Sequence, residues 1–243
     1  MNRVPARPMV TTSWDDGHRL DRRLGDLLDH HGMAATFYVA PETTQLGPED
    51  RLGDNGIRHL DQRFEIGGHT LTHPLLSVIS LEAAAGEITN GKDSLESTLG
   101  HPIVSFCYPS GDYRPEHVEA VRAAGFTLAR TVERFATEVP ADLLQTPTTV
   151  HAYRHLVDGA TVARIAAYRP MAAARLYWDW DRLAIALFEK VLAAGGVYHL
   201  WGHSWEIDRH GDWDRLARVL DHIGRRSDVD YVTNGDLVSA RTK

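Results

Sequence analysis

Strand-like and helix-like segments alternate along almost the whole of this 243-residue chain. Short runs rich in apolar, β-branched and aromatic residues predict strands at 9–14, 35–39, 64–68, 104–108, 126–132, 148–152, 197–202 and 231–233. Apolar residues at helical spacing, with proline or serine near the start and glycine after the end, predict helices at 20–31, 80–99, 115–124, 182–194 and 213–223. Such alternation is typical of parallel strands joined by crossover helices, as in an α/β barrel or a doubly wound sheet.

The length of the chain fits a single α/β domain. No internal repeat, low-complexity stretch or linker divides it. The segment 133–182 follows the alternation least well, because a loop at 133–147 precedes one predicted helix at 158–174. We therefore expect one catalytic domain over 1–243, with an insertion at about 133–182.

Composition and charge narrow the class of protein. Hydrophobic residues make up 43% and charged residues 24%, as in ordinary globular proteins. The net charge of −7 and the scattered cationic residues argue against a nucleic-acid partner. No apolar run is long enough to span a membrane, and the first eight residues contain no apolar signal region. The single cysteine, Cys107, excludes an intrachain disulfide. From the cysteine count and the first residues together, we expect a cytoplasmic enzyme.

Two aspartates follow the first predicted strand, and two histidines follow the third. Asp15 and Asp16 precede Gly17, and His69 and His73 are four residues apart. One carboxylate and two imidazoles form a three-ligand set that leaves a position open, as a hydrolytic zinc site requires. We predict that Asp16, His69 and His73 bind one divalent ion, with zinc preferred over cobalt, manganese, nickel or iron. Asp15 is then left as a base for a water molecule.

Each pair also has an ordinary structural explanation. Asp16 could help to cap the helix predicted from residue 20, and the two histidines could be solvated surface residues. The functional interpretation is favoured because both pairs follow predicted strands, as do Ser110 and His203. Active sites of barrels and open sheets are built at this carboxyl end of the strands.

His203 is the candidate for proton transfer, because it ends a predicted strand and the reference pKa of histidine lies near neutrality. His199, on the same face of that strand, is expected to be structural. Asp179 is the candidate to orient the imidazole of His203. Asp181 competes for that role, and helix capping is the alternative for Asp179.

Four tryptophans, at 178, 180, 201 and 205, lie near these elements. Flat aromatic faces suit sugar rings, although most tryptophans belong to cores or interfaces. We predict Trp180 and Trp205 as substrate contacts.

In this order the motifs resemble the polysaccharide deacetylase family, which is carbohydrate esterase family 4 with its NodB-homology domain. The resemblance covers residues 10 to 206 and is carried by five motifs, which are Ser13-Trp14-Asp15-Asp16-Gly17, His69-x-x-x-His73, Cys107-Tyr108-Pro109-Ser110-Gly111, Asp179-Trp180 and the strand end at His203. It implies a distorted (β/α) barrel with about seven parallel strands. It also implies removal of N- or O-acetyl groups from sugars with the help of a divalent metal, usually zinc.

The resemblance assigns a role in catalysis to seven positions, namely the base Asp15, the ligands Asp16, His69 and His73, the oxyanion-hole backbone N–H of Ser110, the acid His203 and its partner Asp179. The family often has an arginine where Cys107 stands, and that arginine holds the base aspartate. Arg130, at the end of the next predicted strand, is the candidate replacement and a further candidate substrate contact. The usual aromatic residue at Ser110 is absent, and Trp201-Gly202 replaces a leucine before His203.

The sequence thus predicts a metal-dependent hydrolase that removes an N-acetyl group from an N-acetylated sugar or glycan. An O-acetyl esterase, a deformylase or a non-sugar amidase on the same scaffold are the alternatives among enzymes. A carbohydrate-binding pseudo-enzyme is the alternative from another class of protein, and measured hydrolysis distinguishes it from the others.

Overall fold

Parallel strands form one curled sheet in the structure, a computed structural model that describes residues 7–240. Residues 1–6, part of the segment without a predicted signal region, and residues 241–243 lie outside the described part. The strands are β1 Met9–Trp14, β2 Ala35–Val39, β3 Glu65–Gly68, β4 Ser105–Cys107, β5 Leu128–Arg130, β6 Val150–His151, β7 Val197–Gly202 and β8 Asp230–Tyr231. Their order is β5-β4-β3-β2-β1-β7-β6, and β8 pairs with the first residues of β1.

Helices connect these strands and cover the sheet. They are α1 Asp21–His30, α2 Asp54–Asp61, α3 Leu81–Leu99, α4 Pro115–Ala123, α5 Gly159–Ile165, α6 Pro170–Trp178, α7 Trp180–Ala194, α8 Ser204–His210, α9 Trp213–Ile223 and α10 Leu237–Ala240. In α3 the Ser80 hydroxyl accepts a hydrogen bond from the Ala83 N–H, and Gly100 ends the helix at a φ of 78°. None of the described helices combines the length and apolarity needed to traverse a bilayer.

The sheet curls far enough for its two edges to meet at one point. The Thr146 N–H donates to the carbonyl of Ala129, and the Thr131 N–H donates to the carbonyl of Thr146, at 2.8 and 2.9 Å. These bonds tie the chain just before β6 to β5, while β6 itself pairs with β7. The result is a distorted, incompletely closed barrel of parallel strands, which confirms the predicted fold class.

Burial on both faces explains the composition of the central strands. β2 and β7 are buried along their whole lengths, and β1 from its second residue onward. Parallel strands covered on both faces tend to read as apolar runs, and β2 is close to this pattern. β1 instead carries Thr11, Thr12 and Ser13, whose buried hydroxyls have hydrogen-bond partners. A rigid, buried sheet therefore fixes the positions from which the loops at its carboxyl end project.

The helix predicted at 158–174 is wrong, because the structure contains two helices there. Ala167 and Tyr168 have φ values of 51° and 56°, which breaks the helical path between α5 and α6. Pro170 lacks an N–H and disfavours helical geometry at Arg169, so α6 begins anew at the proline. Three short helices, α2, α8 and α10, are absent from the predicted set.

Candidate metal centre and active site

Loops from the carboxyl ends of several strands enclose one cavity of about 300 Å³. Its walls include seven of the predicted site residues, which are Asp15, Asp16, His69, His73, Ser110, His203 and Trp205. They also include residues that no motif predicts, among them Gln45, Arg134 and His155. The structure therefore brings the predicted metal set, base, oxyanion residue and acid into one place.

Three potential ligand atoms converge at the base of this cavity. Asp16 Oδ1 lies 3.6 Å from His69 Nε2 and 3.4 Å from His73 Nε2, and the two imidazole nitrogens are 3.0 Å apart. Tetrahedral zinc with bonds of about 2.0–2.1 Å places its ligand atoms about 3.3 Å from one another. The chemistry and spacing of these three side chains therefore fit a divalent metal.

The imidazole of His69 is oriented by the main chain. Its Nδ1 lies 2.7 Å from the carbonyl oxygen of Cys107, which can only accept, so Nδ1 carries the proton and Nε2 faces Asp16. Burial, and then the charge of His69, lower the pKa of His73 to about 4, so His73 is a neutral imidazole near pH ~7. Burial lowers the pKa of His69, but Cys107 and Asp16 outweigh burial and raise it well above its ordinary value. Histidine binds metals as the neutral imidazole, so a metal held by this set would displace the Nε2 proton of His69.

A short turn from β3 presents the two histidines, and α3 holds that turn. Glu87 Oε2 accepts from the Leu71 and Thr72 N–H groups at 3.1 and 2.8 Å, and the Thr72 hydroxyl donates to Glu87 Oε1 at 2.8 Å. Thr70 and His73 have positive φ values, a strained state that surrounding contacts must enforce. Glu87 supplies such contacts, and no motif in the sequence predicts it.

Asp15 forms a buried ion pair with Arg130, whose Nη2 donates to both carboxylate oxygens. Burial raises the pKa of Asp15, but the Arg130 charge and two nearby histidines outweigh burial and lower it below its ordinary value. Asp15 is therefore an ionised carboxylate near neutral pH. Arg130 contacts the aspartate that it was expected to hold, but its predicted role as a substrate contact is wrong, since it is 0% exposed.

His203 reaches the cavity from the end of β7. Its Nε2 lies 4.0 Å from oxygens of both Asp15 and Asp16, and its Nδ1 lies 3.2 Å from Glu206 Oε2. Burial lowers the pKa of His203, but Glu206 and the two aspartates raise it above its ordinary value. Glu206 also lies 3.1 Å from His151 Nε2. One carboxylate from the first turn of α8 therefore joins two imidazoles.

The prediction that Asp179 orients His203 is corrected by these contacts. Asp179 separates α6 from α7, and its carboxylate pairs with Arg182 at 3.2 Å and with Arg215 at 3.5 Å. Its competitor Asp181 pairs instead with Arg218 at 3.0 Å. Arginines of α7 and α9 thus retain both aspartates in a separate cavity.

The two tryptophans predicted to contact substrate, Trp180 and Trp205, lie in different environments. Trp180 is buried and donates from its indole N–H to Asp212 at 2.9 Å, so its predicted contact with substrate is wrong. Trp205 lines the cavity, and its indole N–H donates to Asp16 Oδ2 at 2.8 Å. It therefore orients the carboxylate of the candidate metal set, and a contact with substrate stays a prediction.

Ser110 and His199 both lie where the sequence predicts them. Ser110 lines the cavity in a left-handed backbone conformation, with φ of 55°. His199 is buried, with its Nε2 2.8 Å from the Ser13 hydroxyl, as suits a structural residue.

The fold and the converging side chains define an α/β barrel with a candidate hydrolytic metal centre at the carboxyl ends of its strands. The model of the polysaccharide deacetylase family matches residues 2–129, more than half of the chain, and the protein belongs to that family.

An individual relative matches this chain over a shorter stretch than the family model does. The peptidoglycan-N-acetylmuramic acid deacetylase PdaC of Bacillus subtilis (strain 168) is 29% identical over 99 residues, which cover 40% of this chain and 20% of that protein. This chain thus matches about a fifth of the length of that relative.

Two of the similar solved structures share the fold at low sequence identity. The Xyl-CE4 domain of a multidomain xylanase from the hindgut metagenome of Trinervitermes trinervoides has a TM-score of 0.62 at 10% identity, with 98% of this chain and 92% of that chain covered. The Streptococcus pyogenes deacetylase PplD in complex with acetate has a TM-score of 0.55 at 23% identity, with 61% and 66% covered.

Proposed function

We propose that this protein is a zinc-dependent deacetylase that hydrolyses the N-acetyl amide of an N-acetylated sugar or glycan. One observation carries the proposal. The candidate ligand set, an ionised carboxylate held by an arginine, and a histidine held by a glutamate face the same cavity. Family membership supports deacetylation, and the donor set supports zinc.

The metal would be held by Asp16, His69 and His73, and when bound it supplies Lewis acidity and lowers the pKa of water to about 7. The two adjacent aspartates have separate roles, Asp16 as a ligand and Asp15 as the base. Trp205 orients Asp16, whereas Arg130 holds Asp15.

Asp15 takes the proton of the attacking water in this proposal. The oxygen of that water bonds to the acetyl carbonyl carbon. Arg130 keeps Asp15 ionised and fixes its orientation, so the base is ready before substrate binds. The backbone N–H of Ser110 is the proposed donor to the oxyanion, an interaction typically worth about 3–4 kcal/mol.

His203 gives a proton to the departing nitrogen. The Nδ1 atom of His203 contacts Glu206, and its Nε2 atom faces the two aspartates. The proton that is transferred is therefore the one on Nε2, at the cavity side of the imidazolium. Glu206 raises the pKa of His203, which favours the protonated acid. The carbon–nitrogen bond then breaks, and the products are acetate and the amino sugar.

Loss of the acyl group, measured by mass spectrometry of the sugar and of the released acetate or formate on metal-loaded protein, tests this proposal. The substrate panel contains N-acetylated monosaccharides and oligosaccharides, with O-acetylated and N-formylated sugars beside them. Release from the N-acetylated members is expected. Preferential release from the O-acetyl or N-formyl members would assign the site to an esterase or a deformylase. Sugar binding with no product from any member would assign it to a pseudo-enzyme.

A further inference from the structure

Large apolar side chains lie exposed in the segment between β6 and α7. Leu156, Val157, Tyr168, Met171 and Trp178 are each between 61% and 83% exposed. Single exposed apolar residues are normal on protein surfaces, but a group of them marks an interaction site.

The same segment is cationic in an otherwise acidic chain. The stretch 159–178 contains three arginines, Arg164, Arg169 and Arg175, and no acidic residue, whereas the net charge of the chain is −7. All three are exposed. No ion pair neutralises any of them within residues 7–240. We call the exposed surface of residues 156–178, which carries these arginines and the five apolar residues above, the insertion face.

A groove of about 820 Å³ runs along this face between α6 and α7. Aliphatic side chains such as Met171, Leu176 and Ile185 line it, and Arg169, Arg175 and Arg182 complete its walls. Apolar surface bordered by guanidinium groups is suited to an amphiphile with an anionic head.

The insertion face adjoins the rim of the catalytic cavity. His155 lines that cavity, and Leu156 and Val157 follow it directly. The Tyr177 hydroxyl donates to the Leu156 carbonyl at 3.2 Å, and the Arg154 guanidinium lies 4.3 Å from the ring centre of Trp178. The apolar residues at the two ends of the segment are thereby linked beside the rim.

We propose that the insertion face binds the surface of an anionic lipid bilayer. Apolar and aromatic side chains can enter the interfacial region, while the arginines contact lipid phosphates. A second copy of the chain fits less well, because a two-fold interface would bring these unneutralised arginines against their own copies. The bound orientation puts the mouth of the cavity near the lipid headgroups, where a substrate carried on a lipid would be within reach. The proposal does not depend on the chemistry of the site.

Cosedimentation of the full chain with vesicles tests this proposal. Binding is expected to phosphatidylglycerol vesicles and not to phosphatidylcholine vesicles, and increasing salt should weaken it. Each arginine near an anionic surface contributes about fivefold in affinity. The combined variant Arg164→Gln, Arg169→Gln, Arg175→Gln should therefore bind roughly a hundredfold more weakly.

Matched variants separate the insertion face from net charge and from general hydrophobicity. Arg22→Gln, Arg209→Gln, Arg225→Gln changes the net charge equally at exposed arginines elsewhere, and should retain binding. For the apolar part, Val157→Ser with Met171→Ser should weaken binding. Val104→Ser, at an exposed valine before β4, should not.

Three outcomes overturn the proposal. The first is a wild-type protein that does not sediment with phosphatidylglycerol vesicles at low salt. The second is an equal loss in the control and insertion-face arginine variants, each shown to be folded by circular dichroism. The third is a dimer in analytical ultracentrifugation that Val157→Ser with Met171→Ser dissociates, without vesicle binding. If a variant fails to fold, the salt dependence of vesicle binding by the wild-type protein still tests the proposal, because binding that does not weaken with salt would contradict it.

Discussion

Replacing Arg130 by methionine tests the ion pair on which the proposed base depends. The side chains of Arg130 and Asp15 are 0% and 4% exposed, so removing the guanidinium leaves an interior carboxylate without its partner. Loss of one partner of a buried pair typically costs about 3–5 kcal/mol. We therefore expect Arg130→Met to lower the free energy of unfolding by about that amount near neutral pH, as measured by urea denaturation.

The pH dependence of this loss follows from the pKa of Asp15. In the native protein burial raises that pKa, but Arg130 leads the interactions that hold it below its ordinary value. A depressed carboxyl pKa contributes stability above the unfolded-state value, and this contribution is lost as the pH falls through the folded-state value. Without Arg130, burial raises the pKa, and Asp15 takes up a proton at a higher pH. The stability difference between the two proteins should then shrink on acidification toward about pH 4, and the acid limb of the pH–rate profile should move to higher pH.

Arg19→Met is the matched control. Arg19 pairs with Asp50 at 2.8 Å, but their side chains are 59% and 36% exposed, and such a solvent-screened surface pair contributes little to stability. A double-mutant cycle of Arg130→Met with Asp15→Asn should show strong coupling. The reasoning is refuted if Arg130→Met costs no more than Arg19→Met, or if the two buried changes are additive.

Four further predictions concern the proposed chemistry. His73→Ala should lose both metal, measured by elemental analysis, and acetate release. Asp15→Asn should retain metal and abolish turnover because an amide cannot accept the water's proton, whereas Asp16→Asn should chiefly weaken metal binding. His203→Ala should lower amide hydrolysis by about 10²–10⁴ with metal retained, and should affect an aryl acetate far less, since that leaving group needs little protonation. Glu206→Gln should give a milder version of the same amide-selective loss, because it removes the charge that raises the pKa of His203.

Controls for these variants lie on neighbouring elements. His199→Ala, on the strand β7 that precedes the proposed acid, should not show the amide-selective loss. Asp179→Asn should not show it either, because Asp179 pairs with arginines and not with His203. If His199→Ala reproduces that loss and His203→Ala does not, the proton donor has been misassigned. Metal retained by His73→Ala would remove that residue from the ligand set, and the reverse behaviour of the two aspartate variants would exchange their roles.

The barrel and the convergence of the four catalytic motifs could be predicted because they depend on short-range patterns. Strand propensity and helical periodicity are local, and parallel strands place their carboxyl ends at one face whatever the details of packing. The spacing of His69 and His73 is likewise local. The break between α5 and α6 was also readable, since Pro170 lies inside the segment predicted as one helix.

Other parts of the site depend on contacts between distant elements. Whether Asp179 faces His203 or an arginine depends on how α7 packs against α9, which no spacing in the sequence reveals. Glu206 could have been found if α8 had been predicted, because it then lies one helical turn after His203. Glu87 reaches its turn from α3 and gives no local signal. The cytoplasmic location and the single domain with an insertion at 133–182 stay predictions.

The base and the acid are held by charged side chains other than those at the motif positions Cys107 and Asp179, with the same signs of charge. Cys107 of β4 and Arg130 of β5 are register partners in the parallel sheet, so an arginine one strand over stands at the same height and reaches the same Asp15. An anion beside His203 is likewise retained, supplied by Glu206 of α8. What the chemistry requires is a buried cation on the base and an anion on the acid. The barrel offers several adjacent strand ends that can supply each of them, and we infer that Arg130 and Glu206 perform these two roles here.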